Sequence, residues 1–371
     1  MRLAAYNVEN LFDRPIAMNL EDRAVGDAVL KDFAELNALF GRAAYRPADK
    51  ARMVALLTAL GLERSDTGPY AILRRNRGAL LRRPQGGGVE VIAGGRADWA
   101  GSLELREEPI DAVAMQNTAQ AIIAVNADVL GVVEAEHRPS LKAFNDGVIR
   151  ALGGTPYYGV MVIDGNDTRG IDVGLMAREG FRIGAVCSHV DDRPPGGGEP
   201  IFSRDCPDYR VTTPGSARLH VLVNHFKSKG GVQRVSNARR LAQATRVAEI
   251  YRDLVADGAE HVAVIGDLND TPEGTPLAPL LGGTDLRDAF LHPAFDNGGY
   301  PGTFGSCGKR DKFDYLLLSP ALFARVTGGG VERRAMWPGV RPKRWEVFPQ
   351  LEEERDVGSD HAAIWVDLDL D

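Results

Sequence analysis

Short apolar runs that each meet a carboxylate, an amide or a histidine limit most strongly what this chain can fold into. Arg2–Val8 carries Asn7 and leads to Glu9, and Asp128–Val133 leads to Glu134 and Glu136. Leu219–Val223 leads to Asn224, His225 and Lys227, and His261–Ile265 leads to Gly266, Asp267, Asn269 and Asp270. On Ile171–Met176, Phe313–Leu318 and Ala362–Leu368 the polar residue stands near the start instead, as Asp172, Asp314 and the Ser359-Asp360-His361 triplet. Such runs, separated by stretches of helical spacing, predict strands layered against helices. In layered α/β folds the strand ends are where a rigid scaffold holds polar groups around a crevice.

Two helical stretches fit that plan. Asp111–Asn126 turns Val113, Ile122 and Ile123 to one side, and Asn237–Ala256 repeats Leu241, Ala244, Val247, Ala248, Tyr251, Leu254 and Val255 at three-and-four spacing. Between Asp13 and Asp111 the pattern changes. Residues 27–62 read as two helices and 69–105 as glycine-punctuated strands or hairpins. This insertion, about 14–110, is either an elaboration of the main domain or a small subdomain.

Composition narrows the classes. The chain has 371 residues with a formal charge of −7, no window of 18 apolar residues and an N-terminus that meets Asn7 and Glu9 before a signal-peptide core could form, so a cytoplasmic protein is expected. Cys187, Cys206 and Cys307 are odd in number and have no zinc-finger spacing, which fits thiols in a reducing compartment. An acidic total argues against a protein that coats nucleic acid nonspecifically. Locally the charge differs: residues 209–248 hold eight basic residues and no acidic one, Arg74, Arg75, Arg77, Arg82 and Arg83 cluster, and 333–344 interleaves Lys, Arg and Trp. Each run has an ordinary reading as a solvated face. Together with acidic strand ends they suit a metal-dependent enzyme acting on a polyanion.

Taken singly, the strand-end residues also have structural readings: an Asn as a turn former, an Asp after Gly as a cap, His225 as a satisfied half-buried histidine. As a set, Asn7, Glu9, Glu134, Asp172, His225, Asp267, Asn269, Asp314, Asp360 and His361 form an oxygen-rich group with two histidines and no cysteine. Hard oxygen donors suit Mg²⁺ or Mn²⁺ rather than Zn²⁺. The histidines and the surplus carboxylates can make two His–carboxylate pairs, each fixing a tautomer.

The segments Asn7-Val8-Glu9-Asn10-Leu11-Phe12, Glu134, Asn224-His225-Phe226-Lys227-Ser228-Lys229, Gly266-Asp267-Leu268-Asn269-Asp270, Phe313-Asp314-Tyr315 and Ser359-Asp360-His361 occur in the order of the endonuclease/exonuclease/phosphatase superfamily. The chain resembles its deoxyribonuclease I-like members and abasic-site endonucleases, and Asn-His-Phe-Lys-Ser-Lys looks most like the bacterial nuclease branch. The resemblance covers residues 1–13 and about 111–371; the insertion has no counterpart in it. It implies a four-layer αββα sandwich of α/β (α+β) class, with two mixed sheets face to face and a crevice at one edge. It implies Glu134 as principal divalent-metal ligand with Asn7, Glu9 and Asp360 in support, and Asp267 with Asn269 as the pair that orients or deprotonates water. His361 would act at the phosphate with Asp314 orienting it, and His225 would be the second histidine, partnered by Asp172.

A metal-dependent phosphodiesterase is therefore expected, with a DNA nuclease that also accepts RNA as the first reading. Lys227, Lys229, Arg169, Arg74, Arg75 and Arg77 are the candidate substrate cations. The superfamily also resembles inositol-phosphate phosphatases and sphingomyelinases, so a small or lipid phosphoester is the alternative substrate. A silent binding protein that kept the fold would have lost ligand or histidine positions, and none is lost.

Overall fold

The computed structural model describes residues 1–9, 13–18, 20, 23–109, 112–167, 169–340 and 343–370. The Asn10-Leu11-Phe12 part of the first motif, the expected helix start at Asp111 and Arg341 of the third basic stretch lie outside the described residues. The chain divides into two compact units, Met1–Phe12 with Ile110–Asp371, and Asp13–Pro109.

The described residues of the larger unit form thirteen strands: β1 (Arg2–Asn7), β2 (Val129–Ala135), β3 (Gly159–Ile163), β4 (Asp172–Ala177), β5 (Arg182–Cys187), β6 (Asp208–Thr212), β7 (Arg218–His225), β8 (Val262–Asp267), β9 (Arg287–Asp288), β10 (Phe295–Asp296), β11 (Asp314–Leu318), β12 (Val326–Glu332) and β13 (Ala363–Leu368). They form a seven-stranded sheet, β10-β12-β13-β1-β2-β4-β3, and a six-stranded sheet, β5-β6-β7-β8-β11-β9. The central strands are apolar throughout because both their faces are covered. On β1, Leu3 and Ala5 enter the core between the sheets while Ala4 and Tyr6 pack under the helices Ala112–Val125 (α1) and Arg138–Phe144 (α2). On β8, Ala263 and Ile265 face the inter-sheet core while Val262 and Val264 lie under the long helix Gln233–Ala256 (α3). Helix, sheet, sheet and helix are the four layers of the expected sandwich.

The sheets approach closely at Gly131, where a Cβ would stand 2.5 Å from Ile265 Cδ1. Helix α3 starts at Gln233, a turn before its expected start. It buries Ala244, Val247, Ala248 and Tyr251 but leaves Leu241 and Val255 exposed, so the buried stripe is narrower than the spacing suggested. Strands β3, β5, β6, β9, β10 and β12 lie outside the expected set. Apart from β6 they lie at or near sheet edges, where one face suffices or glycines replace apolar side chains.

Pairing direction brings the polar residues together. β1 and β2 run parallel and end at Asn7 and Glu134, whereas β4, antiparallel to β2, begins at Asp172, and β13, antiparallel to β1, begins just after His361. In the other sheet β7 and β8 run parallel to His225 and Asp267, and β11 runs back from Asp314, with His225 opposite Asp267 and Asp267 opposite Asp314. The strand ends thus fall on one edge of each sheet.

The smaller unit has its own core. Helices Arg23–Phe40 and Pro47–Ala59 pack Phe33, Leu36, Met53 and Leu57 with Leu73 and Trp99 of the paired strands Ala71–Gly78 and Trp99–Leu105. Its first and last strands pair, Asp13 opposite Pro109, so the chain leaves the unit about 5 Å from where it enters. A short Gly-Ser link in place of residues 13–109 is therefore expected to leave a folded unit whose Mn²⁺ affinity is unchanged. Cooperative melting and cation titration of the shortened chain check this, and loss of folding would overturn it.

Candidate active site

Asp267, at the end of β8 and 1% exposed, is the point where the site residues converge. Its carboxylate accepts from the Asn269 N–H (2.8 Å), Asn269 Nδ2 (3.0 Å) and, across the sheet interface, Asn7 Nδ2 (3.3 Å). His225 Nε2 stands 3.7 Å and His361 Nε2 3.8 Å from the same oxygen, Oδ2. His225 Nε2 is also 3.5 Å from Glu134 Oε1, a second link between the sheets. On the far side of His361, Nδ1 meets Asp314 Oδ2 at 2.8 Å. Asp360 and Glu9 are tied through the Asp360 N–H to Glu9 Oε2 at 3.0 Å, and Glu9 is turned by its own N–H donating to Asn7 Oδ1.

The backbone is bent to present these groups. Glu9, Glu134 and Asn269 are three of the six non-glycine residues with positive φ among the described residues, Glu134 one residue before the end of β2 and the other two just past the ends of β1 and β8. Left-handed backbone costs a non-glycine residue roughly 1–3 kcal/mol, and such conformations gather at functional sites. At Gly266, φ is 117° and a Cβ would lie 2.2 Å from the Asn224 carbonyl oxygen, so only glycine lets β7 and β8 close up beside His225 and Asp267.

The two histidines are driven to opposite charge states. Burial opposes a charge on His361, but Asp314, Asp267 and Asp360 outweigh it and hold its pKa well above the usual histidine value. Burial lowers that of His225, and Arg204, Arg169, His361 and Lys227 push it lower still. Burial raises Asp267 above the usual carboxylate range; His361 pulls it down, while Asp314 and Glu134 add to the rise.

The expected pairing of Asp172 with His225 is not what the structure shows. Asp172 Oδ1 accepts from the Gly165 N–H at 2.7 Å, and the buried His225 Nδ1 has no hydrogen-bond partner among the described residues. The strand register accounts for this: Asp172 sits opposite Ala135, beyond the strand that carries Glu134, and its carboxylate turns to the 164–167 loop. Lys227 is half-buried, its pKa brought down to about 8 by burial and by Arg169 and Arg204. Lys229 pairs with Asp270 at 3.0 Å, and Arg169 with Asp167 at 2.7 Å.

The arginine run of the smaller unit is paired as well: Arg74 with Glu104, Arg75 and Arg83 with Asp66, Arg82 with Glu90, while Arg77 is exposed on its strand. Arg333 is buried and donates to the carbonyls of Asn297, Tyr300 and Gly302, a structural task. Sequence reasoning passed over Arg204, which is buried, 3.2 Å from Asp167, and bears on the charge of His225. It lies in a loop with no apolar run beside it, so no pattern marked it.

A model of the Endonuclease/Exonuclease/phosphatase family matches residues 90–325, and the chain belongs to that family. The match takes in Glu134, His225, Asp267, Asn269 and Asp314. Members of this superfamily are metal-dependent phosphoester hydrolases, and so is this enzyme. No curated protein matches the chain. Among solved structures, a mannosyl-6-phosphatase of Bacteroides thetaiotaomicron is 18% identical, with a TM-score of 0.53 over 69% of this chain and 92% of that one. Family proteins from Bacteroides thetaiotaomicron (17%, TM-score 0.51, 68% and 86% covered) and Bacteroides vulgatus (17%, 0.50, 70% and 91%) are similar in fold.

Two measurements probe the electrostatics. Because Asp314 raises the His361 pKa, the pair stabilises the fold fully below the unfolded value near 6.5, and that stabilisation is lost as pH rises through the folded pKa. Asp314→Asn is expected to move the His361 titration, followed by NMR, and the alkaline limb of the rate profile to lower pH; an unmoved titration would overturn the pairing. Asp172 is pushed up to about 7 by burial, with Asp164 and Asp167 adding to it, so it weakens the fold as pH climbs from 3.8 to that value. Asp172→Asn, which keeps an acceptor for the Gly165 N–H, is expected to raise Tm near pH 8 and far less near pH 4. Equal shifts at both, by thermal melting, would show that charge burial is not the cause.

Proposed function

We propose that this enzyme is a nuclease that hydrolyses phosphodiesters of DNA, and of RNA by the same chemistry, with Mg²⁺ or Mn²⁺ as its cation. The observation that carries hydrolysis at phosphorus is the pair of histidines, one biased to be charged and one neutral, flanking the buried carboxylate of Asp267. Groups whose environments push their pKa values apart can divide the acid and base roles.

Glu134, next to Val133 that pairs with Asn7, would hold a hard divalent cation, supported by Asn7, by Glu9, whose N–H donates to Asn7 Oδ1, and by Asp360, whose N–H donates to Glu9 Oε2. All the donors are oxygens, and the Glu134 carboxylate accepts no hydrogen bond among the described residues. Asp267, Asp314 and His361 also bring ligand atoms within 4.8 Å of one another. Asp314 Oδ2 is already paired with His361 Nδ1 at 2.8 Å, so we assign these two to the phosphate rather than to the cation. A divalent cation held by Glu134 would supply charge neutralisation for cleavage at phosphorus. Asp267, its proton affinity raised, accepts the proton of the attacking water, which Asn269 orients. His361 donates from Nε2 to the phosphate, Asp314 holds its Nδ1–H, and neutral His225 accepts a hydrogen bond. Lys227 and Arg169 add positive charge on the phosphate side.

One observation favours a smaller phosphoester as the second reading. Five of the eight cations of the basic run 210–246 are ion-paired in place: Arg210 with Asp208, Lys229 and Arg240 with Asp270, Arg239 with Glu199, and Arg246 with Asp192 and Glu249. A sugar phosphatase shares the fold. Incubation of supercoiled plasmid, linear duplex and single-stranded DNA with Mg²⁺, Mn²⁺ or EDTA separates the readings. Metal-dependent cleavage is expected, lost by at least about 100-fold in His361→Ala. Turnover of bis-p-nitrophenyl phosphate without cleavage of any nucleic acid would move the substrate to a small phosphoester.

A further inference from the structure

Helix α3 carries two polar side chains that are completely buried, Arg240 at 1% and Gln243 at 0% exposure, and the P–O cleavage chemistry above uses neither. Both reach the same residue. Gln243 Oε1 accepts the Lys227 backbone N–H at 2.9 Å, and Arg240 Nη1 donates to the Lys227 carbonyl at 2.8 Å. Residues three apart on a helix lie on one face, so the two side chains grip one peptide segment from both sides. The remaining nitrogens of Arg240 extend the grip: Nε meets Asp270 Oδ2 at 3.2 Å and Nη2 donates to Asn237 Oδ1 at 2.5 Å. Asp270 follows Asn269 directly, and Lys229 holds its other oxygen at 3.0 Å. One guanidinium therefore joins the segment after His225 to the segment after Asp267.

We propose that Arg240 and Gln243 are positioning residues for phosphoester cleavage, fixing the backbone of Lys227, two residues after His225, so that its ammonium, which bonds Ser228 Oγ at 3.0 Å, can receive the phosphate. A fully buried arginine and glutamine on a helix are costly unless hydrogen-bonded. A purely structural cross-link could end on any carbonyl of the core. Here the bonds end on Lys227, two residues after the site histidine and one of the three cations that bear on its charge, and on the loop of the carboxylate that faces that histidine. The proposal rests on the phosphoester reading but not on nucleic acid as substrate.

The test is a double-mutant cycle on the full chain. Arg240→Met and Gln243→Met are each made with Lys227 and with Lys227→Ala, and kcat/KM is read on bis-p-nitrophenyl phosphate and affinity on inorganic phosphate, which needs no turnover. If the helix acts through Lys227, each substitution is expected to cost about 10- to 100-fold with Lys227 present and under about threefold in the Lys227→Ala background, since residues of one network couple. Gln243→Glu, which keeps an acceptor opposite the Lys227 N–H, is expected to recover at least about tenfold of the loss in Gln243→Met. Equal losses in both backgrounds, or no loss, would overturn the proposal by showing a fold-wide role or none. Should Arg240→Met fail to fold, the Gln243→Met cycle decides alone. An enzyme that turns over the generic diester but cuts no DNA would overturn the nuclease reading and leave this cycle readable.

Discussion

A carboxylate buried between two sheets is an expensive object, and much of the site can be understood as what it takes to keep Asp267 there. Removing such a group from water costs several kcal/mol even after relaxation, while each hydrogen bond to a charged group returns roughly 1.5–3 kcal/mol. Asp267 collects three amide donors, and one of them, Asn7 Nδ2, comes from the opposite sheet. Proximity of the sheet edges is thus a condition for the site, met in part by Gly131, where no side chain intervenes between β2 and Ile265. The left-handed backbone at Glu9, Glu134 and Asn269 adds to the cost, and the apolar core between the sheets offsets it.

Position on either side of that carboxylate then gives two identical side chains different chemistry. His361 has Asp314 behind it, Asp267 in front and Asp360 as its chain neighbour, all favouring the proton. His225 has Arg204, Arg169 and Lys227 on its side, all disfavouring it. No special property of the histidines is needed; His361, before β13 of the seven-stranded sheet, meets Asp314 and Asp267 of the six-stranded one, whereas the burial of His225 is reinforced by those cations rather than offset.

The central strands and most of the site were legible for one reason. A strand buried on both faces must be apolar along its length, so β1, β2, β7, β8 and β11 stand out as runs, and the polar residue that ends each run stands out against it. Edge strands β3 and β5 need only one covered face, and glycine-rich β12 has few side chains to show a period, so they were missed. The Asp172–His225 pairing failed because sequence order says nothing of register: one strand position decides whether a carboxylate turns to the crevice or to its own loop. Arg204 and Arg240 were illegible as contributors for another reason. A charge inside a loop or an otherwise ordinary helix acquires meaning only from what tertiary packing places against it.

The same point bears on how charge selects substrate. Read as a string, residues 209–248 are a basic block; folded, the block spans two strands, a loop and a helix, and its cations meet Asp192, Glu199 and Asp270 from other segments and Glu249 on the same helix. Ion pairing removes most of the long-range field such a block would project, because a paired charge acts as a dipole and is screened within about 8 Å at physiological ionic strength. The cations that keep influence are those near the carboxylate edge: Lys227, Arg169 and Arg204, three positive charges around the one carboxylate of Asp167. That concentrates attraction at the scissile phosphate rather than along a polymer. Affinity for a nucleic acid chain would then come mainly from the site itself, and preference between a polymer and a small ester from the shape of the crevice rather than from the net count of arginines.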